Sequence, residues 1–124
     1  PAYVPQLMLE MLSLGPQCRS AIMVRQTATK GAVILRLQRD DEWIVEMLHW
    51  LNQFMERFVN REEPPPHNVF WDDGNEHSGG DRYRAFVNRT KEISESAKLV
   101  ARIPHGDIQR MVGTNRHQIP LFLD

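Results

Sequence analysis

The sequence predicts an α/β chain, and three observations carry that reading. Apolar residues recur at the helical period in 3–14 and again in 43–59. Between these stretches, two apolar runs carry the two-residue period of strands. Gly and Pro punctuate the junctions. The predicted order is helix, β-hairpin, long amphipathic helix, Pro/Gly-rich loop and C-terminal helices. At 124 residues, 41% apolar and 25% charged, the chain has material for one modest core.

The first helix follows from Val4, Leu7, Met8, Met11 and Leu12, which step along one side. Pro5 is tolerated only in a first turn, so the helix begins near it, and Gly15-Pro16 ends it. Cys18 to Gln26 reads as a strand, with Ser20, Ile22 and Val24 on one face and Arg19, Ala21, Met23 and Arg25 on the other. Thr27 to Gly31 is a polar turn, and Ala32 to Arg39 is a second strand with Val33, Leu35 and Leu37 on one face. Two such runs joined by a short Gly-ending loop predict an antiparallel hairpin.

Asp40-Asp41 sits where an N-cap belongs, with Glu42 in the first turn. From Trp43 to Val59 the apolar positions Ile44, Leu48, Leu51, Met55 and Phe58 form a stripe, which predicts a long amphipathic helix. With the stripe in the core, Leu51→Asp would bury an unpaired charge and unfold the protein. Asn60 to Pro66 stops this helix, and a polar stretch rich in Pro and Gly runs to Asp81, anchored only by Val69-Phe70-Trp71. Tyr83 to Val100 reads as a further helix with Tyr83, Phe86, Val87, Ile93, Ala97 and Val100 on its apolar side. Pro104-His105-Gly106 breaks it, Asp107 to Val112 forms a short helix, and Pro120 to Asp124 is an apolar tail that packs on something.

Composition excludes several classes. No apolar run reaches the roughly 18 residues of a membrane-spanning helix. Cys18 is the only cysteine, so a disulfide scaffold is excluded. With no basic-then-apolar leader, the expected location is intracellular. The sequence opens on Pro1 rather than Met, so a processed or cut chain with upstream sequence is expected. The net charge of -1 is segmented: residues 1–39 carry +4, residues 40–80 carry -8 and residues 81–124 carry +3. That is not a uniformly basic nucleic-acid binder, although two basic segments can still form one basic face.

The chemical candidates are few. His67, Asp72, Asp73, Glu76 and His77 offer metal-type donors without the spacing that sets ligands on one helical face, so a solvated loop is expected and no metal ligand is assigned. Cys18 is expected to be a buried thiol rather than a nucleophile, and His49 an exposed or partner-facing side chain. Gly79-Gly80 reads as a hinge rather than a phosphate cradle, because neither a Walker motif nor G-x-G-x-x-G is present. On the hairpin, Arg19, Arg25, Lys30, Arg36 and Arg39 suit either phosphate contact or protection of a strand edge.

The order of elements, with Tyr3-Val4-Pro5-Gln6-Leu7-Met8-Leu9-Glu10-Met11 in the first helix and Arg39-Asp40-Asp41-Glu42 leading into Trp43, Ile44, Met47, Trp50, Leu51, Phe54 and Phe58, resembles the second half of the YqaJ-type nucleases. These are the lambda-exonuclease-like branch of the PD-(D/E)XK superfamily. There the first of these helices commonly reads Tyr-x-x-Gln-x-Gln-x-x-Met. The resemblance covers residues 3–60 and leaves the rest unmatched. It implies a restriction-endonuclease-like fragment, with residues 1–61 as the nuclease-fold segment, 62–81 as a linker and 82–124 as a helical C-terminal segment. It also implies Mg²⁺-dependent DNA hydrolysis in an intact relative, whose metal-binding Asp and Glu-x-Lys lie on strands before the first helix. Those strands would precede Tyr3, so this chain alone is expected to be non-catalytic and to bind no Mg²⁺. An upstream segment or a partner chain would complete it and cover its apolar faces. By the same resemblance Gln6 would line the site, while Arg19, Arg25, Lys30 and Arg36 would contact the DNA backbone. Met8 stands where the family often has a second glutamine, and a thioether cannot bond a phosphate or a metal-bound water as an amide does. The alternative reading is a non-catalytic nuclease-fold subunit that serves as a scaffold in a larger assembly.

Overall fold

A computed structural model describes residues 2–71 and 79–114. The elements are α1 (Tyr3–Leu14), β1 (Ser20–Thr27), β2 (Gly31–Gln38), α2 (Asp41–Phe54) continued by a π-helical turn (Met55–Val59), α3 (Gly79–Ser96), β3 (Lys98–Ile103) and α4 (His105–Thr114). The strands form one sheet in the order β1-β2-β3. The chain is therefore a mixture of helices and a small antiparallel sheet, as the α/β reading expects. No helix among the described residues is long and apolar enough to cross a membrane.

Two units divide the chain. The helical unit takes Pro1–Ala21 and Leu37–Ala97, and the sheet unit takes Ile22–Arg36 and Lys98–Asp124. In the helical unit, Val4, Leu7, Met8 and Met11 of α1 are buried together with Trp43, Ile44, Met47 and Trp50 of α2, and α1, α2 and α3 all touch one another. Pro5 lies in the first turn of α1, where its missing N–H has no helical partner to lose. Gly15 ends that helix at φ 104°, a left-handed value that glycine adopts without strain, and its N–H reaches the Leu12 carbonyl.

The face that α2 buries differs from the predicted stripe. Ile44 and Phe58 are buried, but Leu48, Leu51 and Met55 are exposed, Leu51 by 47%. The buried side is Trp43, Met47 and Trp50. The cause is aromatic packing from α3 and the loop before it. Trp43 stacks on Phe86 at 5.2 Å between ring centres, and Trp50 meets Tyr83 edge-on at 5.1 Å and Phe70 at 4.8 Å. The Trp43 indole N–H also donates to Thr90 Oγ1 at 2.8 Å. The apolar arc of this helix is wider than the part the core covers, so the expectation that Leu51→Asp unfolds the protein is withdrawn.

The C-terminal region also departs from the helical reading. α3 begins at Gly79, so Gly79-Gly80 opens a helix instead of acting as a linker, and it ends at Ser96, before Val100. Lys98 to Ile103 is instead a strand that pairs with β2, which makes the hairpin part of a three-stranded sheet. Backbone pairing outweighs the helical spacing of Ile93, Ala97 and Val100, because β2 would otherwise leave a row of unpaired amides. α4 starts at His105, two residues before the expected start at Asp107. Asp72, Asp73, Glu76 and His77, together with Pro120 to Asp124, lie outside the described residues.

Candidate functional site

The segment that carries much of the family resemblance forms a structural junction within the helical unit. The Arg39 side chain is only 6% exposed. Its Nη1 donates to the carbonyls of Met11 at 3.0 Å and Gly15 at 2.9 Å, with Cys18 O at a longer 3.4 Å. A cation is thereby placed at the C-terminus of α1, where carbonyls lack helical partners and the helix dipole is negative. Arg39 Nε donates to Asp41 Oδ1 at 2.7 Å, and Arg19 Nη2 donates to Asp41 Oδ2 at 2.8 Å. The two guanidinium groups, Arg19 first, hold the Asp41 carboxyl below its usual range. Asp40 is the N-cap of α2, accepting from Trp43 N at 3.0 Å, and its other oxygen accepts from Arg89 of α3 at 2.6 Å. Arg39-Asp40-Asp41 therefore joins the end of α1, the start of α2 and the side of α3.

A cavity of about 330 Å³ beside this junction is lined by Glu42, Trp43, Glu46, Arg82, Ala85, Phe86 and Arg89. Both of its arginines and Glu46 are already matched. Arg82 donates to both Glu46 oxygens, at 2.6 and 3.2 Å, which is the main reason that the Glu46 carboxyl sits below its usual range. Arg89 also reaches Glu92, besides Asp40. These groups fasten α3 to α2 and leave no free acid–base pair in the cavity.

The predicted site residues are not brought together in one place. Gln6 is exposed on α1 and donates to Glu10 Oε1 at 3.3 Å. Met8, two positions on, is fully buried in the core, as expected for side chains that project about 200° apart. A glutamine at position 8 of this chain would bury its amide among apolar neighbours. Arg19 is committed to Asp41 and to the Pro16 carbonyl at 3.1 Å. Cys18 is half-buried and donates to the Ser20 carbonyl at 3.7 Å, and half-buried His49 packs edge-on against Trp50 at 4.8 Å.

Arg25, Lys30 and Arg36 belong to the sheet unit and are exposed. Among the described residues, no hydrogen bond or ion pair engages their side chains. β3 adds Lys98 and Arg102, likewise exposed and unpaired among the described residues, and the helical reading of 83–100 concealed the start of that strand. The signal that could have shown them is the run Leu99-Val100-Ala101-Arg102-Ile103, with β-branched residues bounded by Pro104. The described residues of the sheet unit thus hold six basic side chains (Arg25, Lys30, Arg36, Lys98, Arg102 and Arg110) against Asp107 alone, a net of +5. Asp107 is engaged by Arg110. The described part of the helical unit is acidic, with eleven carboxylates against eight basic groups. Folding therefore sorts the charge that the linear sequence scatters into three segments.

Among the described residues, no three His, Cys, Asp or Glu side chains gather as a metal would need. No protein-family model, no curated protein and no solved structure matches this chain.

Proposed function

We propose that this chain is the C-terminal part of a YqaJ-like metal-dependent DNA nuclease, in which it grips the nucleic-acid backbone and does not itself hold the metal. The observation that carries the reading is the sheet unit, with five exposed cations unpaired among the described residues and a net charge of +5. Exposed, unpaired cations suit phosphates, whose neutralisation supplies much of the affinity of a DNA-binding protein. The order of α1, hairpin and α2 supports the same reading, with the Arg39-Asp40-Asp41 junction holding the helices that flank the hairpin. In this account the carboxylates and the lysine of the nuclease centre come from outside the described residues.

The test is the native polypeptide. Its intact mass and the sequence upstream of Pro1 should reveal an Asp followed by Glu-x-Lys, and the intact protein should degrade DNA only when Mg²⁺ is supplied. An extension without those residues, or a native chain that starts at Pro1, removes the nuclease reading.

One observation favours the second reading, a non-catalytic scaffold. Leu48, Leu51, Met55 and Val59 are all exposed and follow one another along α2 and the π-helical turn. Such a row is of the kind that a protein partner or another part of the polypeptide covers. Under the scaffold reading, Leu51→Asp releases a co-purifying partner and leaves DNA binding unaltered.

A further inference from the structure

β2 and β3 run antiparallel, with Ala32 opposite Ile103, Val33 opposite Arg102 and Ile34 opposite Ala101. The ladder then slips, so that Leu35 faces Leu99, Arg36 faces Lys98 and Val100 has no partner on β2. This is a β-bulge, and it decides which face Lys98 occupies. An unslipped ladder would set Leu99 opposite Arg36 and carry Lys98 on to Leu37. Directly opposed residues share a face, and a slip of one residue sends a side chain to the other face. The bulge therefore sets two cations side by side, with Cβ atoms about 5 Å apart. Like charges in that position destabilise a sheet. Both side chains are exposed, and among the described residues neither has a carboxylate partner. The one described carboxylate of the unit, Asp107, is engaged by Arg110 and does not offset this pair.

We propose that Arg36 and Lys98 form a two-cation clamp for a single phosphate group, the guanidinium offering a two-pronged face and the ammonium a point charge. Under the function proposed above, on which the choice of ligand rests, that phosphate is a phosphodiester of the DNA backbone. Arg102, carried on the opposite face beside Val33, is not part of the clamp.

The experiment uses the full chain and the variants Arg36→Gln/Lys98→Gln and Arg25→Gln/Lys30→Gln. Binding of a fluorescent DNA duplex is measured by anisotropy from 50 to 200 mM salt, and melting is followed with and without inorganic phosphate. The clamp variant should melt higher than the parent at low salt without ligand, because a repulsion has been removed. It should bind DNA with a salt slope shallower by about 1, the loss of one neutralised phosphate. Phosphate should raise the melting temperature of the parent and not that of the clamp variant. The Arg25→Gln/Lys30→Gln variant should keep the response to phosphate. If the parent responds to phosphate through this pair but binds no DNA, the clamp stands on free phosphate and the DNA reading falls. If DNA binding is salt-dependent and the clamp variant matches the parent in slope and phosphate response, the clamp is wrong and the DNA reading survives. A clamp variant that melts lower than the parent without ligand also overturns the clamp, since the pair would then be stabilising.

Discussion

Replacing Arg39 with Met keeps most of the side-chain stem and removes its five N–H donors. The carbonyl of Met11, in the last turn of α1, then loses its donor, because the Gly15 N–H bonds Leu12 instead. The Gly15 carbonyl keeps only the Cys18 N–H, at 3.1 Å. Hydrogen bonds from a charged donor are worth about 1.5–3 kcal/mol, and a buried carbonyl left without a partner costs about 1 kcal/mol or more. The lost cation at the end of α1 adds a few tenths of a kcal/mol. The sum is about 3 kcal/mol for Arg39→Met, or about 10–15 °C in melting temperature for a chain of this size. Urea and thermal unfolding followed by circular dichroism at neutral pH measure it. Arg39→Lys should fall between parent and Arg39→Met, since one ammonium cannot span the same carbonyls and Asp41. Arg19→Met, at the exposed end of the same network, should move the melting temperature by less than about 3 °C. An Arg39→Met protein within about 0.5 kcal/mol of the parent would refute the junction's structural role.

Three further outcomes are expected. Gly31→Ala should cost about 3 kcal/mol by urea titration, because the position has φ 81° and a Cβ would lie 2.1 Å from the Ile103 carbonyl. Leu51→Asp should stay folded with a cost near 1 kcal/mol, whereas Met47→Asp, at 6% exposure, should abolish cooperative unfolding. Glu46 titrates below its ordinary 4.5 in the folded state because Arg82 hydrogen-bonds it. Its stabilisation is therefore complete above pH 4.5 and is lost as pH falls through the lowered folded value. The stability gap between the parent and Arg82→Gln should accordingly be widest well above pH 4.5 and should close in acid.

What was legible in the sequence was local chemistry. Asp40 was readable as the N-cap of α2 because a short carboxylate before an apolar helical run bonds the nearest free amides. Gly15-Pro16 was readable as a stop because glycine takes the positive φ that ends a helix and proline has no N–H to continue one. The covered side of α2 was not, since its apolar arc exceeds what one core contact can bury, and the choice between Leu48–Leu51 and Met47–Trp50 rests on distant rings at Phe70, Tyr83 and Phe86. β3 was hidden because Ile93, Ala97 and Val100 keep helical spacing, and because the bulge at Val100 breaks the alternation that marks a strand. Lys98 and Arg102 were missed with it. Arg39 stands among the hairpin cations, and nothing near it in sequence shows that it also bonds the carbonyls of Met11 in α1 and of Gly15 just beyond that helix.

The central claim, that the sheet unit grips a nucleic-acid backbone, is tested most directly by titrating a fluorescent DNA duplex with the parent chain and with Arg25→Gln/Lys30→Gln/Arg36→Gln at 50 and 200 mM salt. If three phosphates are neutralised, affinity for the parent should fall roughly 40-fold between the two salt concentrations, and the triple variant, which keeps Lys98 and Arg102, should bind more weakly with a shallower salt dependence. No binding by the parent at 50 mM salt, or a triple variant that binds as the parent does, would contradict it.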